Sequence, residues 1–199
     1  MAWTKSEEEL ARALVEDLRA RGWEVYQEVE LHGSVADVVA TQGPVVWAIE
    51  TKISLSLVVL GQAHRWRWCA HLVSCAVAPG RRSVGRDFAI AAAEATGVGV
   101  VEVDSPELLE RSWARRSPVL ERVRPAFTRR VSPKLRARLR EKHKTYAPAG
   151  NAEGKRYTSF TATCDAIRAE LGRRGPMTVR EIVERLRGRG RFPLLRLVG

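Results

Sequence analysis

Residues 35–53 read VADVVATQGPVVWAIETKI, and this stretch decides the fold. Two apolar runs, Val35–Ala40 and Val45–Ile53, flank Gln42-Gly43-Pro44, whose composition is that of a turn. Both runs are predicted strands, the second apolar enough to lie inside a sheet. Each carries charge where a buried strand normally has none. Asp37 has apolar neighbours on both sides, and Glu50 and Lys52 are two residues apart, so on a strand they share a face. A carboxylate among apolar residues is costly to bury unless a cation or metal meets it. Aspartate plus glutamate, with a main-chain carbonyl, is a hard oxygen set suited to Mg²⁺. A lysine beside it can orient a water molecule.

Working outward, residues 5–21 predict a helix, with Leu10, Ala11, Leu14, Val15 and Leu18 forming one stripe. Thr4/Glu7 and Ser6/Glu9 both have capping-box spacing at its start, and Gly22 follows its end. Trp23–Leu31 alternates as a half-buried strand, and His32-Gly33-Ser34 is a turn. Beyond Lys52 the pattern predicts a helix over Leu57–His71, a strand over Val73–Ala78, a helix over Asp87–Ala95 and a strand over Val98–Val103. Three successive strands followed by helices alternating with strands imply an α/β fold, a mixed sheet flanked by helices.

Asp37, twelve intervening residues and then Glu50-Thr51-Lys52 resemble the PD-(D/E)XK nuclease superfamily, the restriction-endonuclease-like fold with an αβββαβ core. The resemblance covers residues 5–104, with Ala36 where the nominal motif has proline. Gln62, in Gly61-Gln62-Ala63-His64-Arg65-Trp66, is similar to the glutamine and aromatic of the RecB-like branch, with Trp66 in place of tyrosine. The stretch from Ala91 to Val101 looks like the closing helix and strand of Holliday-junction-resolvase-like members. The resemblance implies a metal-dependent nuclease, an endonuclease or exonuclease, hydrolysing DNA phosphodiester bonds, with junction resolution and structure selectivity among several open branches. Asp37 and Glu50 would hold Mg²⁺ or Mn²⁺, Lys52 and Gln62 would serve the reaction, and Glu7 would be the first-helix glutamate of the family. Glu7 also reads as a cap for its own helix. Non-catalytic nucleic-acid binding on an inactive nuclease fold, and cleavage of RNA, are the two rival readings.

Charge separates the chain into unequal parts. The net charge is +11, with residues 1–104 at −4 and residues 105–199 at +15. Such asymmetry points to a polyanion, most simply nucleic acid, and the family resemblance makes duplex or branched DNA the expected partner. The expected organisation is a nuclease domain over 1–104, a basic helical segment over 105–147 and a helical module over 157–199. Ser105-Pro106, Ser117-Pro118 and Ser132-Pro133 each read as the N-cap and first residue of a helix. The expected phosphate grips are Arg65, Arg67, Arg129, Arg130, Lys134, Arg136, Arg138, Arg140, Lys142 and Lys144. Thr158–Arg173 and Thr178–Arg187, broken by Gly175-Pro176, resemble the start of a helix-turn-helix or winged-helix module. Trp66 and Trp68, interleaved with Arg65 and Arg67, read as core packing ahead of base stacking. Cys69, Cys75 and Cys164 have no CxxC spacing, which argues against a disulfide framework and for a reducing, cytoplasmic setting. No membrane span, leader or small-molecule cofactor is expected, and homodimer formation is left open by the family resemblance.

Overall fold

The computed structural model describes residues 6–104, 117–151 and 153–188. The first helix, α1 (Glu7–Ala20), opens with a capping box in which Ser6 accepts from the Glu9 N–H and Glu9 accepts from the Ser6 N–H. The strands β1 (Glu24–Leu31), β2 (Ser34–Gln42) and β3 (Val45–Lys52) follow as an antiparallel meander. His32 and Gly33, at φ 52 and 75, turn β1 into β2 in two residues, both left-handed as a tight hairpin of this length demands. Helix α2 (Leu57–His64) leads to β4 (Leu72–Val77), and α3 (Val84–Thr96) leads to β5 (Gly99–Val103). These two crossovers make β3, β4 and β5 parallel. The helix expected over Leu57–His71 stops early: Arg65–Trp68 tightens into a 3₁₀ turn that aims its two tryptophans differently.

The sheet does not end at residue 103. Val119–Val123 forms β6, antiparallel to β5, and completes a six-stranded mixed sheet in the order β1 to β6. This corrects the helix expected after Ser117-Pro118. The Ser117 hydroxyl instead accepts from the Val119 N–H and donates to Asp17 of α1 at 2.6 Å. Pro133 does precede a helix, α4 (Lys134–Arg138), but as its N-cap and not as its first residue. Ser105-Pro106 lies outside the described residues.

Helices cover both faces of the sheet. Leu10, Leu14 and Leu18 of α1 are fully buried against Val25, Val38, Ala40, Trp47 and Ile49 on one face. On the other, Val59, Leu60 and Ala63 of α2 and Ala89 and Ala93 of α3 cover Val39, Val46, Ala48, Val73, Cys75 and Val100. Leu135 of α4 is fully buried in that second layer. The chain divides into two compact units, Met1–Arg156 and Tyr157–Gly199. Much of the basic stretch after residue 104 is therefore part of the sheet unit. In the second unit α5 (Ser159–Arg174) is capped by Thr158 and followed by α6 (Val179–Gly188). The further helix and hairpin that a winged helix requires would fall after Gly188, outside the described residues. Among the described residues no helix is long and apolar enough to cross a membrane.

Candidate active site

The three antiparallel strands bring acids into one row. Gln27↔Val38 and Val29↔Ala36 bracket Glu28 and Asp37, which therefore stand opposite each other on β1 and β2. On the other side of β2 the ladder with β3 runs as far as Val38↔Ile49, and one further step sets Asp37 beside Glu50. Neighbouring strands lie about 4.8 Å apart, so the backbones of the three acids sit at adjacent ladder positions on consecutive strands. Like charges set this way repel unless a proton or a cation intervenes.

Each carboxylate is fixed by a neutral donor. Asp37 Oδ2 accepts from the Thr51 N–H at 2.7 Å and from its hydroxyl at 3.0 Å, so the side chain takes a ladder position that the diverging strands leave open. Glu50 Oε1 accepts from the indole N–H of Trp66 at 2.6 Å. Glu28 Oε1 accepts from the Gly150 N–H at 3.0 Å. Asp37 Oδ1 and Glu50 Oε2 take no hydrogen bond from a described residue. Elsewhere in the sheet unit buried carboxylates have cations: Asp17 pairs with Arg21, and Glu102 is held between Arg86 and Arg122. Asp37, Glu50 and Glu28 have no ion pair among the described residues.

Their protonation follows from that placement. Burial, then the charge of Asp37, pushes Glu50 up to about 8. The same two causes push Glu28 up to about 7. Burial also raises Asp37, against the two Thr51 hydrogen bonds that favour its ionised form. Lys52, at the end of β3, pairs with Glu7 at 2.7 Å. Burial works against its charge, but the Glu7 hydrogen bond and the nearby acids outweigh it, and the amine is held above its ordinary value.

The structure thus brings Glu7, Asp37, Glu50 and Lys52 together. Glu7 spends its carboxylate on Lys52, while Ser6 supplies the helix cap. Gln62 lies on α2 one turn before Trp66, and its Oε1 is a buried acceptor without a partner among the described residues. Such an orphan normally marks a missing donor, ion or water. Among the described residues no three His, Cys, Asp or Glu side chains gather as a metal cluster. The donor chemistry fits a divalent hard cation through Asp37 and Glu50, since Mg²⁺ commonly takes one or two carboxylates and keeps several waters.

Two contributors escaped the sequence reading, and a third had its role left open. Thr51 fixes Asp37, Glu28 adds a third acid, and Trp66, named there as the aromatic in the tyrosine's place, fixes Glu50. The signal for Glu28 was a break in alternation: Val25 and Tyr26 are both buried, so the strand changes phase just before Glu28, which sits at φ 53. The basic residues divide by what they touch. Arg67 donates to the Thr96 and Gly97 carbonyls, and Arg140 to those of Ala137 and Leu139. Lys144 faces Glu141 and lies over the Tyr26 ring. Arg65, Arg129, Arg130, Arg136 and Arg138 are exposed and form no hydrogen bond or ion pair with a described residue, although the charge of Arg65 reaches Glu50. Lys134 lies over the Trp68 ring, and Lys142 is exposed.

No protein-family model, no curated protein and no solved structure matches this chain.

Proposed function

We propose that the chain is a metal-dependent nuclease that hydrolyses DNA phosphodiester bonds on a restriction-endonuclease-like core. The observation that carries this reading is a row of carboxylates, Glu28 and Glu50 buried and Asp37 half-buried, that form no ion pair among the described residues, in a unit where the buried Asp17 and Glu102 do. A row of like charges costs stability, and it is retained where a cation is to be bound. The Asp37–Glu50–Lys52 arrangement and the first-helix Glu7 support the same reading, as do the unpartnered arginines of the same unit.

Mg²⁺ or Mn²⁺ held by Asp37 and Glu50 would polarise the scissile phosphate and lower the pKa of an attacking water. The chain's own groups do the rest. Thr51 and Trp66 each occupy one carboxylate oxygen, which leaves Asp37 Oδ1 and Glu50 Oε2 as the oxygens for the cation. Lys52 stays protonated at neutral pH, so it donates to the attacking water or to the developing phosphorane charge and does not act as a base. Glu7 positions that amine. Arg65, Arg129, Arg130, Arg136 and Arg138 would meet phosphates without reading sequence, in a salt-dependent way.

A plasmid-nicking assay tests this, with the full-length protein, Mg²⁺ or EDTA, and the variants Asp37→Ala, Glu50→Ala and Lys52→Ala. Wild type should nick with Mg²⁺ and stop with EDTA, and each variant should lose activity while keeping its fold by circular dichroism. Variants that cut at the wild-type rate would overturn the assignment. Binding of DNA without any metal-dependent cutting would favour the non-catalytic reading, and a parallel RNA substrate separates the ribonuclease one.

A further inference from the structure

The Arg65–Trp68 turn sends its two tryptophans in opposite directions. Trp66 is buried and holds Glu50, whereas Trp68 is 45% exposed. Between them opens a cavity of about 250 Å³, lined by Leu31, His32, Ser34, Arg65, Trp66 and Trp68. Trp66 belongs both to this cavity and to the acid row. Its indole N–H donates to Glu50, so the cavity adjoins that carboxylate. The His32 and Trp68 rings lie 5.9 Å apart at 31°, and the Lys134 ammonium lies 5.7 Å over the Trp68 ring.

Those walls select a ligand class. A purely apolar ligand has no use for Arg65 in the lining or for Lys134 beside the Trp68 ring, and a bare anion has no use for an open indole. A nucleotide uses both, its base on the ring and its phosphate on the cations. The volume is below the roughly 300–1,000 Å³ of pockets for drug-sized molecules, which limits it to one base. A base paired within a duplex has both faces covered by its neighbours, so the guest is unpaired. The protein continues the track: the Ser132 N–H donates to the Trp68 carbonyl at 2.8 Å, and that segment carries Arg129, Arg130 and Arg136 around a second cavity of about 310 Å³.

We propose that the cavity of His32, Arg65 and Trp68 is a subsite for one unpaired nucleobase of a single-stranded segment, stacked on Trp68, with Arg129, Arg130 and Arg136 meeting the phosphates on that side. The proposal rests on the nuclease reading for its position beside the scissile phosphate, but not for the binding itself.

The test is binding of the full-length protein in EDTA, where nothing is cut, to a short fluorescent oligodeoxythymidylate, to the same strand made abasic, and to a blunt duplex of equal length. Base stacking on an aromatic side chain is worth about 1–3 kcal/mol, so Trp68→Ala should weaken the intact single strand by roughly 5- to 150-fold. Trp68→Phe should keep most of the affinity. The abasic strand should bind wild type and Trp68→Ala alike, and the duplex should be insensitive to the substitution. Equal loss of intact and abasic strands, equal loss of single strand and duplex, or no loss would each overturn the subsite. Cutting assays on the same preparations keep the two ideas apart. Trp68-dependent binding without any Mg²⁺-dependent cutting leaves the subsite standing and removes the nuclease. Cutting by wild type with no Trp68 dependence does the reverse.

Discussion

Glu50→Gln should make the protein more stable without metal, and increasingly so as pH rises. The amide keeps an oxygen for the Trp66 indole N–H, so the 2.6 Å hydrogen bond has an acceptor in both proteins. What it removes is an ionisable group buried beside Asp37. The folded state raises this carboxyl, so its contribution to stability is fully present below the ordinary 4.5 and is lost as pH climbs towards about 8. Lifting the acid from 4.5 to about 8 corresponds, at 1.36 kcal/mol per tenfold change in proton affinity, to an upper bound of about 5 kcal/mol. Local relaxation and water entry reduce this to a working figure of about 2–4 kcal/mol. Urea unfolding in EDTA, followed by far-UV circular dichroism at a series of pH values, measures it. Wild type and variant should nearly coincide near pH 4.5 and diverge to the full difference above about pH 8. Saturating Mg²⁺ should recover the deficit in wild type only, because a ligand of the folded state stabilises by mass action. A difference that does not change with pH, or a variant less stable throughout, would show that Glu50 is compensated within the fold and would refute the reasoning.

The affinity for Mn²⁺, read by calorimetry, should climb by up to about tenfold per pH unit between about 6 and 8, because the ligand carboxylates must first lose protons. A flat profile would exclude Asp37 and Glu50 as ligands. Lys52→Ala should lower cleavage by roughly 10²–10³, the usual loss of one charge-stabilising donor. Glu7→Gln, which leaves the amine in place, should cost less, and the reverse order would remove Lys52 from the reaction. Gly150 has φ 69, and a Cβ there would lie 3.0 Å from the Glu7 carbonyl carbon. Gly150→Ala should therefore cost about 1–3 kcal/mol in unfolding experiments and also slow cleavage by shifting Glu7. A chain ending at Arg156 should keep the cooperative unfolding of the sheet unit, whereas one ending at Asp104 should lose it along with β6 and Leu135; equal behaviour of the two would contradict the fold.

The sheet's centre was legible because its strands are apolar on both faces and bounded by Gly43-Pro44, Pro79-Gly80 and Gly97, features that act through local chemistry. Asp37, Glu50 and Lys52 were legible for a related reason, since a charge inside an apolar run has few explanations. Strand β6 was not. Its residues, VLERV, are half exposed at a sheet edge, and the preceding Ser-Pro pair suits a strand entrance as well as a helix cap. Glu28 was hidden because its importance comes from register with Asp37, a pairing between strands that alternation along one strand does not encode. Trp66 and Trp68 were indistinguishable in sequence. Only the change from α-helix to a tighter 3₁₀ turn buries one ring against Glu50 and leaves the other open.

The division of charge also acquires a different meaning. Residues 105–156 hold fifteen Lys and Arg against five Asp and Glu, and residues 157–199 supply the remaining net +5. Two thirds of the basic excess therefore lies within the sheet unit and is not an appended grip. The chain from Lys144 to Gly150 is bound directly to the strand that carries Glu28. The Lys144 carbonyl accepts from the Gln27 side chain at 3.3 Å, the Ala149 N–H donates to Gln27 at 3.0 Å, and the Gly150 N–H donates to Glu28. The basic segment thus also supplies the hydrogen bond that holds the third acid of the row. Loosening that strap would disturb both, which is why the acid row and the basic segment belong to one folding unit.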